Sequence, residues 1–460
     1  MFINNDHHEQ INTTNNLIET GTWEYDKFSN EPFTERLPGY ILPYAFFRYL
    51  ASEPIALILL ILYQIILSII ASLLLFFLII EISNYFFIAL IGFVVFNLFS
   101  SITYWELKAL PDSLSVSYYI FSNYFLYKFL HNKKLYKYLI LSGLFIALTF
   151  FLRGFLLFYI FSPIILFFLI DVPIKNSFKY TLAFLLPFII MEISWIYRNY
   201  SATGKFIPLV SREAIISGDS LRFEKGYNFD LQYKNSMLRL RGYISKWGGS
   251  TLPFHEGEMH YFLGYTDDLE NSFPKWIFSR GVKKEYIIKL KNQVRQSYIS
   301  SYDLNKRKEL EEDLTKYINK YSDEFQYKSI FDIFYIKIKR VYNLIGRNVT
   351  EDYPFGPFTQ NSLPMKFYKL CVVSIYFVIM LSSLFIVPLF YLVNKNILNI
   401  FYIHLNLNSL WVIFVFSFLI NSVESKYTFT MFVNGIISII PMIVFFINKL
   451  SNNKKKFSLV

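Results

Sequence analysis

The chain has 460 residues, of which 54% are hydrophobic and 20% aromatic, and a formal net charge of +11. Its single cysteine, Cys371, excludes an intrachain disulfide and any multi-cysteine metal site. Apolar runs such as residues 55–80 exceed what a soluble core needs, so the positive excess reads as lysine gathered at one side of a bilayer rather than as a nucleic-acid surface.

The chain opens on a polar stretch, Asp6 to Tyr40, holding Asp6-His7-His8 and ending in RLPGY, residues 36–40. Residues 37–50 are apolar but short and broken by Pro38 and Pro43, which suits an interfacial or re-entrant helix. Residues 1–53 therefore read as a first outer loop with interfacial helices. A block of about six spans follows over 54–197, at roughly 54–80, 84–104, 113–130, 138–152, 155–171 and 178–196. A large polar region covers 198–365. About three further spans fill 366–449, and a basic tail occupies 450–460. The fold class expected is an all-α polytopic membrane protein.

Lysine fixes the expected orientation. With the first loop outside, the short inner segments carry Lys128, Lys133, Lys134, Lys137, Lys175, Lys179, Lys395, Lys449 and Lys454–Lys456. The short outer connections carry only Lys108, Arg153 and Lys426. Eleven against three is the positive-inside asymmetry, and it assigns the 198–365 region to the outer face as well. The turn Glu81-Ile82-Ser83-Asn84 carries no positive charge of its own, and without that turn every later side would invert, which the lysine count argues against.

Ionisable residues near membrane depth are costly and so are functional candidates. Asp6 is one. Glu106 and Asp112 bracket the ends of two spans in YWELKALPDSL, and Arg153 stands at a turn in FFLRGFLL. Glu192 lies inside a span that exits at Arg198-Asn199, and Glu424-Ser425-Lys426-Tyr427 forms the last outer turn. Singly, each has a plainer reading: a polar terminus for Asp6, a helix start for Asp112 after Pro111, interfacial anchors for the arginines. Together on one face, acids and arginines suit a hydroxyl to be deprotonated and a lipid phosphate to be held. Two motifs are discounted. HEGEMH spaces its histidines five apart, where a zinc helix needs four. The Asn-x-Ser/Thr triplets at Asn12, Asn199 and Asn348 arise by chance in so Asn-rich a chain.

The order of these stretches resembles the GT-C superfamily of polyprenyl-phosphate-sugar-dependent glycosyltransferases, the group of protein mannosyltransferases and the lipid A aminoarabinose transferase. The resemblance runs from Asp6 to about Val210 and again from Lys366 to Ile447. It rests on Asp6 before LIETG and RLPGY, on LPDSL, on GLFIALTFFLRG, on RNY followed by GKFIPL, and on ESKYTF. RNY with GKFIPL is the most specific of these. Lys426 stands where the family usually has arginine, and the family has a span before the first acidic loop that is not seen ahead of Asp6. The resemblance implies a GT-C-like bundle of about nine transmembrane helices with a large outer-face soluble region. It also implies inverting sugar transfer from a polyprenyl-phosphate donor to a hydroxyl-bearing acceptor (glycan, lipid or protein) on the periplasmic face of a bacterial inner membrane.

In that scheme Asp6 is the base, and Asp112 orients the sugar or binds a divalent cation. Arg153, Arg198 and Lys426 hold the donor phosphate. Arg36, Tyr40, Glu192, Asn199, Glu424 and Tyr427 support them. Metal need varies across the superfamily, so no metal is assigned. The rivals are a surface-polysaccharide polymerase or ligase and a flippase or transporter of lipid-linked saccharide.

Overall fold

The computed structural model describes residues 5–23, 37–99, 106–209, 362–386, 397–415 and 428–457, with a few isolated positions besides. The chain divides into two compact units, the first made of Met1–Ala214, Ile345–Val412 and Glu424–Val460 and the second of Ile215–Leu344 and Ile413–Val423. The described elements are helical: α1 (Asn5–Thr20), α2 (Ile41–Leu50), α3 (Glu53–Ser83), α4 (Phe86–Leu98), α5 (Pro111–His131), α6 (Tyr136–Leu152), a 3₁₀ turn (Gly154–Ile160), α7 (Phe161–Leu169), α8 (Ile174–Thr203), α9 (Leu363–Leu381), α10 (Ile397–Phe414) and α11 (Phe429–Phe457).

Among the described residues, three helices are long and apolar enough to cross a bilayer: Glu53–Ser83, Ile174–Thr203 and Leu363–Leu384. The remaining spans expected from the sequence correspond to shorter or less apolar helices. Of the run 84–104, Phe86–Leu98 is helical and Phe99 is extended, and residues 100–104 lie outside the described residues. The run 155–171 divides into the 3₁₀ turn and α7. Within the basic tail expected from 450, the backbone is helical to Phe457, as the last turns of α11. The polar opening loop contains α1, whose Asn15 bonds Glu53 Oε2 (3.0 Å) and receives the Tyr44 hydroxyl (3.3 Å) and Arg48 Nε (3.1 Å).

Local sequence sets the boundaries. Pro54 in the first turn of α3 and Pro111 opening α5 occupy positions where a missing N–H costs nothing. Asn84, at φ 59°, and Gly204, at φ 68°, close α3 and α8 in the left-handed region. Asp112 in the first turn of α5 and Lys128 in its last both complement the helix dipole.

Helix α5 is central. Seventeen of its 21 residues are buried, which explains why it carries Ser, Tyr and Asn where an exposed span would carry Leu and Ile. Its two ends define the ends of the bundle. At the far end from Asp112, Lys128 pairs with Glu81. Tyr180 of α8 packs edge-on to Phe129 and near Tyr136 at that same end, so Lys133, Lys134, Lys137 and Lys179 gather there. Close crossings hold the bundle: a Cβ on Gly143 of α6 would stand 1.9 Å from the Phe184 carbonyl oxygen of α8. One on Gly435 of α11 would stand 2.1 Å from that of Ile379 in α9.

Polar residues tie α5 and α7 to α10 and α11. His404 Nε2 donates to Asn123 Oδ1 (3.1 Å), and His404 Nδ1 shares a bond with Ser162 Oγ (2.8 Å). Asn408 donates to the Tyr119 hydroxyl (2.9 Å), which donates to Asn434 Oδ1 (2.7 Å). Asn434 in turn donates to Ser409 Oγ (3.0 Å). All of these side chains are buried, and in an apolar interior such groups hold helices together because they find one another rather than water.

Candidate functional site

At the Asp112 end, three stretches distant in sequence meet. Gly39 brings the chain against the end of α6: its N–H donates to the Phe151 carbonyl (3.1 Å), and a Cβ there would lie 2.4 Å from the Phe151 carbonyl carbon. Only glycine allows that approach, and it seats the buried Tyr40, whose hydroxyl donates to Gln64 Oε1 (3.0 Å). Gln64 then donates to the carbonyls of Glu106 (3.2 Å) and Lys108 (2.9 Å), fixing the loop that leads into α5. Ser68, one turn further along α3, donates to the Glu106 carboxylate.

Asp112 and Arg153 complete this corner and are ion-paired to each other. The side chain of Asp112 is 3% exposed and that of Arg153 16%, so little water screens the pair. Arg153 sits at the C-terminal end of α6, where its charge also answers the orphan carbonyls. Burial, and then the Asp112 carboxylate, hold the Tyr40 phenol well above its ordinary value. Burial likewise raises the Glu106 carboxyl, partly offset by the Ser68 hydrogen bond. Tyr40 is thus a neutral donor beside the Asp112–Arg153 ion pair.

A second set surrounds the exit of α8. Glu192, Trp195 and Asn199 lie on one face of that helix and reach the returning segment after Gly204. Glu192 Oε1 accepts the Leu209 N–H (3.0 Å), Trp195 Nε1 donates to the Leu209 carbonyl, and Asn199 donates to the Ile207 carbonyl (3.0 Å). Both backbone groups of Leu209 are captured, which holds this residue at φ 62°. Arg198 stacks over Trp23 (4.8 Å) and Trp195 (5.3 Å) and donates to the Trp23 carbonyl (2.7 Å) and Asn199 Oδ1 (3.0 Å). The two sets adjoin through Leu37, Phe150, Phe151 and Trp195, which form one buried cluster.

Of the residues singled out from sequence, Tyr40, Asp112 and Arg153 are brought together, and Glu106 with them. Arg153 and Asp112, expected to serve phosphate and sugar separately, are partners. Glu192 and Asn199 are engaged in the clasp, and Arg198 in the docking of Trp23. Asp6 stands on the first turn of α1, with its side chain outside the described residues, as are Arg36, Glu424, Lys426 and Tyr427. Sequence reasoning missed Gln64 and Ser68. The signal was available: Gln64, Ser68 and Ser72 recur every fourth residue in an otherwise apolar run, a polar stripe on one helical face. Among the described residues, no three His, Cys, Asp or Glu side chains gather closely enough to hold a metal ion. Comparison of the chain with models of known families, with curated proteins and with solved structures gave no match.

Proposed function

We propose that the protein is a membrane glycosyltransferase that moves a sugar from a polyprenyl-phosphate donor to an acceptor hydroxyl at the Asp112 end of the bundle. The observation that carries this reading is the buried corner where Tyr40, Glu106, Asp112 and Arg153 converge from separate stretches, beside the Arg198–Trp23–Trp195 stack. A guanidinium already held by a carboxylate is pre-oriented, so it stabilises charge developing on a leaving phosphate without first being ordered.

In the reaction, the acceptor oxygen forms its bond to the anomeric carbon as the bond from that carbon to the phosphate oxygen breaks. The electron pair leaves on polyprenyl phosphate, and the hydroxyl proton passes to the Asp6 carboxylate. Arg153, steadied by Asp112, faces the phosphate, and Arg198 and Lys426 add to the positive field. Inversion at the anomeric carbon follows from a single displacement. The donor chain lies in the bilayer, and the 198–365 region selects the acceptor on the periplasmic side of a bacterial inner membrane. A cation at Asp112 has a competitor in Arg153, so the sugar-orienting role is the one that fits.

One observation favours a second reading, a flippase of lipid-linked saccharide: the buried hydrogen-bonded network around His404 lies along α5, well away from Asp112. Saccharide transfer in detergent, where no sidedness exists, separates the two. Purified enzyme transfers sugar from a polyprenyl-phosphate hexose or pentose; a flippase leaves every donor intact.

A further inference from the structure

At the end of the bundle away from Asp112, the turn between α5 and α6 meets the turn between α7 and α8. Phe129 and Tyr180 pack edge-on at 4.9 Å, and Tyr136 stands 5.7 Å from Tyr180, so the first turns of α6 and α8 lie side by side. Lys133 and Lys134 lie in the α5–α6 turn, Lys137 follows Tyr136 on α6, and Lys175 and Lys179 stand on the first turns of α8. Lys133 is half-buried and the other four are exposed. The described carboxylates at this end are Glu81, already paired with Lys128, and Asp171, exposed just before α8. Among the described residues none of the five lysines forms an ion pair. The Lys137 ammonium lies over the Tyr138 ring (5.2 Å), a contact that brings no negative charge.

Lysine at the ends of spans is common, and alone it marks only an end. The surface beside these lysines adds to it. Lys175 and Lys179 are one turn apart and share a stripe of α8. Ile174, Phe178 and Leu182 form the neighbouring stripe and are 68%, 61% and 63% exposed. Phe178 meets Phe168 of α7 edge-on (5.4 Å), so the two helices offer one apolar face. The exposed stripe continues through Leu186 to Ile190. At the helical rise, Phe178 to Ile190 covers about 18 Å, enough for one leaflet's half of a hydrocarbon core about 30 Å thick. The cations therefore stand at the head of an apolar track the length of an acyl chain.

We infer that this corner binds an anionic phospholipid, with the headgroup phosphate among Lys133, Lys134, Lys137, Lys175 and Lys179 and an acyl chain along the α7–α8 face. Charge complementarity selects the headgroup, because a zwitterionic lipid brings a further cation to five others. A soluble polyanion would meet the lysines and leave the apolar stripe uncovered. A second copy of the chain would bring the same lysines together and repel. The site lies at the opposite end from the Asp112 corner and does not rest on the glycosyltransferase reading.

The test is thermal melting of the full chain in detergent with phosphatidylglycerol, phosphatidylcholine, glycerol phosphate or polyphosphate added at matched ionic strength. A lipid held by the folded chain raises the midpoint. Phosphatidylglycerol raises it by several degrees more than phosphatidylcholine, and neither soluble anion moves it. Lys175→Gln/Lys179→Gln and Lys133→Gln/Lys134→Gln/Lys137→Gln each at least halve that preference. Lys205→Gln, an exposed lysine at the Asp112 end, leaves it intact. Phe178→Gln interrupts the apolar track and lowers the shift from both lipids; should it not fold, Leu182→Gln interrupts the same stripe. Equal shifts from the two lipids, a full shift from polyphosphate or glycerol phosphate, lysine variants that keep the wild-type preference, a track variant that keeps both lipid shifts, or an equal loss in Lys205→Gln each overturn the proposal.

Discussion

Asp112 and Arg153 are the residues on which the candidate site depends, and their pairing makes separable predictions. Asp112→Asn leaves Arg153 largely buried without its carboxylate, a change that costs about 3–5 kcal/mol. Asp112→Asn combined with Arg153→Gln removes both charges and costs clearly less, which a double-mutant cycle of melting midpoints in detergent checks. A cycle with no coupling would mean that the pair contributes nothing to the fold. Glu106 gives a prediction in pH. Its carboxyl is held above its ordinary value by burial, so the folded chain binds that proton more tightly than the unfolded chain. The resulting stability is fully present below the ordinary carboxyl range and is lost as pH rises through the raised value. Glu106→Gln still accepts from Ser68 but does not titrate. Wild type therefore gains midpoint relative to Glu106→Gln as pH is lowered from neutral, and parallel curves would remove the assignment.

At the scale of elements, glycines and a short polar clasp decide how helices meet. Gly39→Ala and Gly143→Ala each drive a methyl into backbone, at Phe151 and at Phe184, where no rotamer gives way. Each costs about 1–3 kcal/mol by overpacking, read as a lowered melting midpoint. An alanine at either position with wild-type stability would contradict the crossings described. The clasp at the exit of α8 joins RNY to GKFIPL: Asn199 and Trp195 need a returning segment of that length to bond Ile207 and Leu209.

Much of this scale was legible. Helices α3, α8 and α9 follow directly from apolar runs, and Pro54, Pro111 and Gly204 mark ends by known rules. Helix α1 was not, because Asn and Thr favour local alternatives to helix; Asn15 docking on Tyr44, Arg48 and Glu53 supplies what its composition lacks. The break after Leu98 was not legible either, since an apolar run does not say where its backbone turns.

For the whole molecule, sequence separated the two ends of the bundle but did not name partners. Lysine counting placed Asp112 and Arg153 at one end, and the bundle gathers Lys133, Lys134, Lys137 and Lys179 at the other. Nothing in one dimension said that the acid and the arginine would pair, because that contact joins residues from two helices. The same holds for the network of Asn123, His404, Asn408 and Asn434, where each residue alone looked like an isolated polar intrusion in a span. His404→Phe leaves Asn123 Oδ1 buried and unmet, so the junction of α5 and α10 loosens by about 1–3 kcal/mol.

The central claim is sugar transfer with Asp6 as base, and it is tested most directly by comparing wild type with Asp6→Asn. Release of polyprenyl phosphate from a panel of polyprenyl-phosphate hexoses and pentoses is measured in detergent with an acceptor hydroxyl present. The account predicts release by wild type and a loss of at least about a hundredfold in Asp6→Asn at an unchanged melting midpoint, the scale of general-base catalysis. Full release by folded Asp6→Asn, or none from any donor by folded wild type, would contradict it.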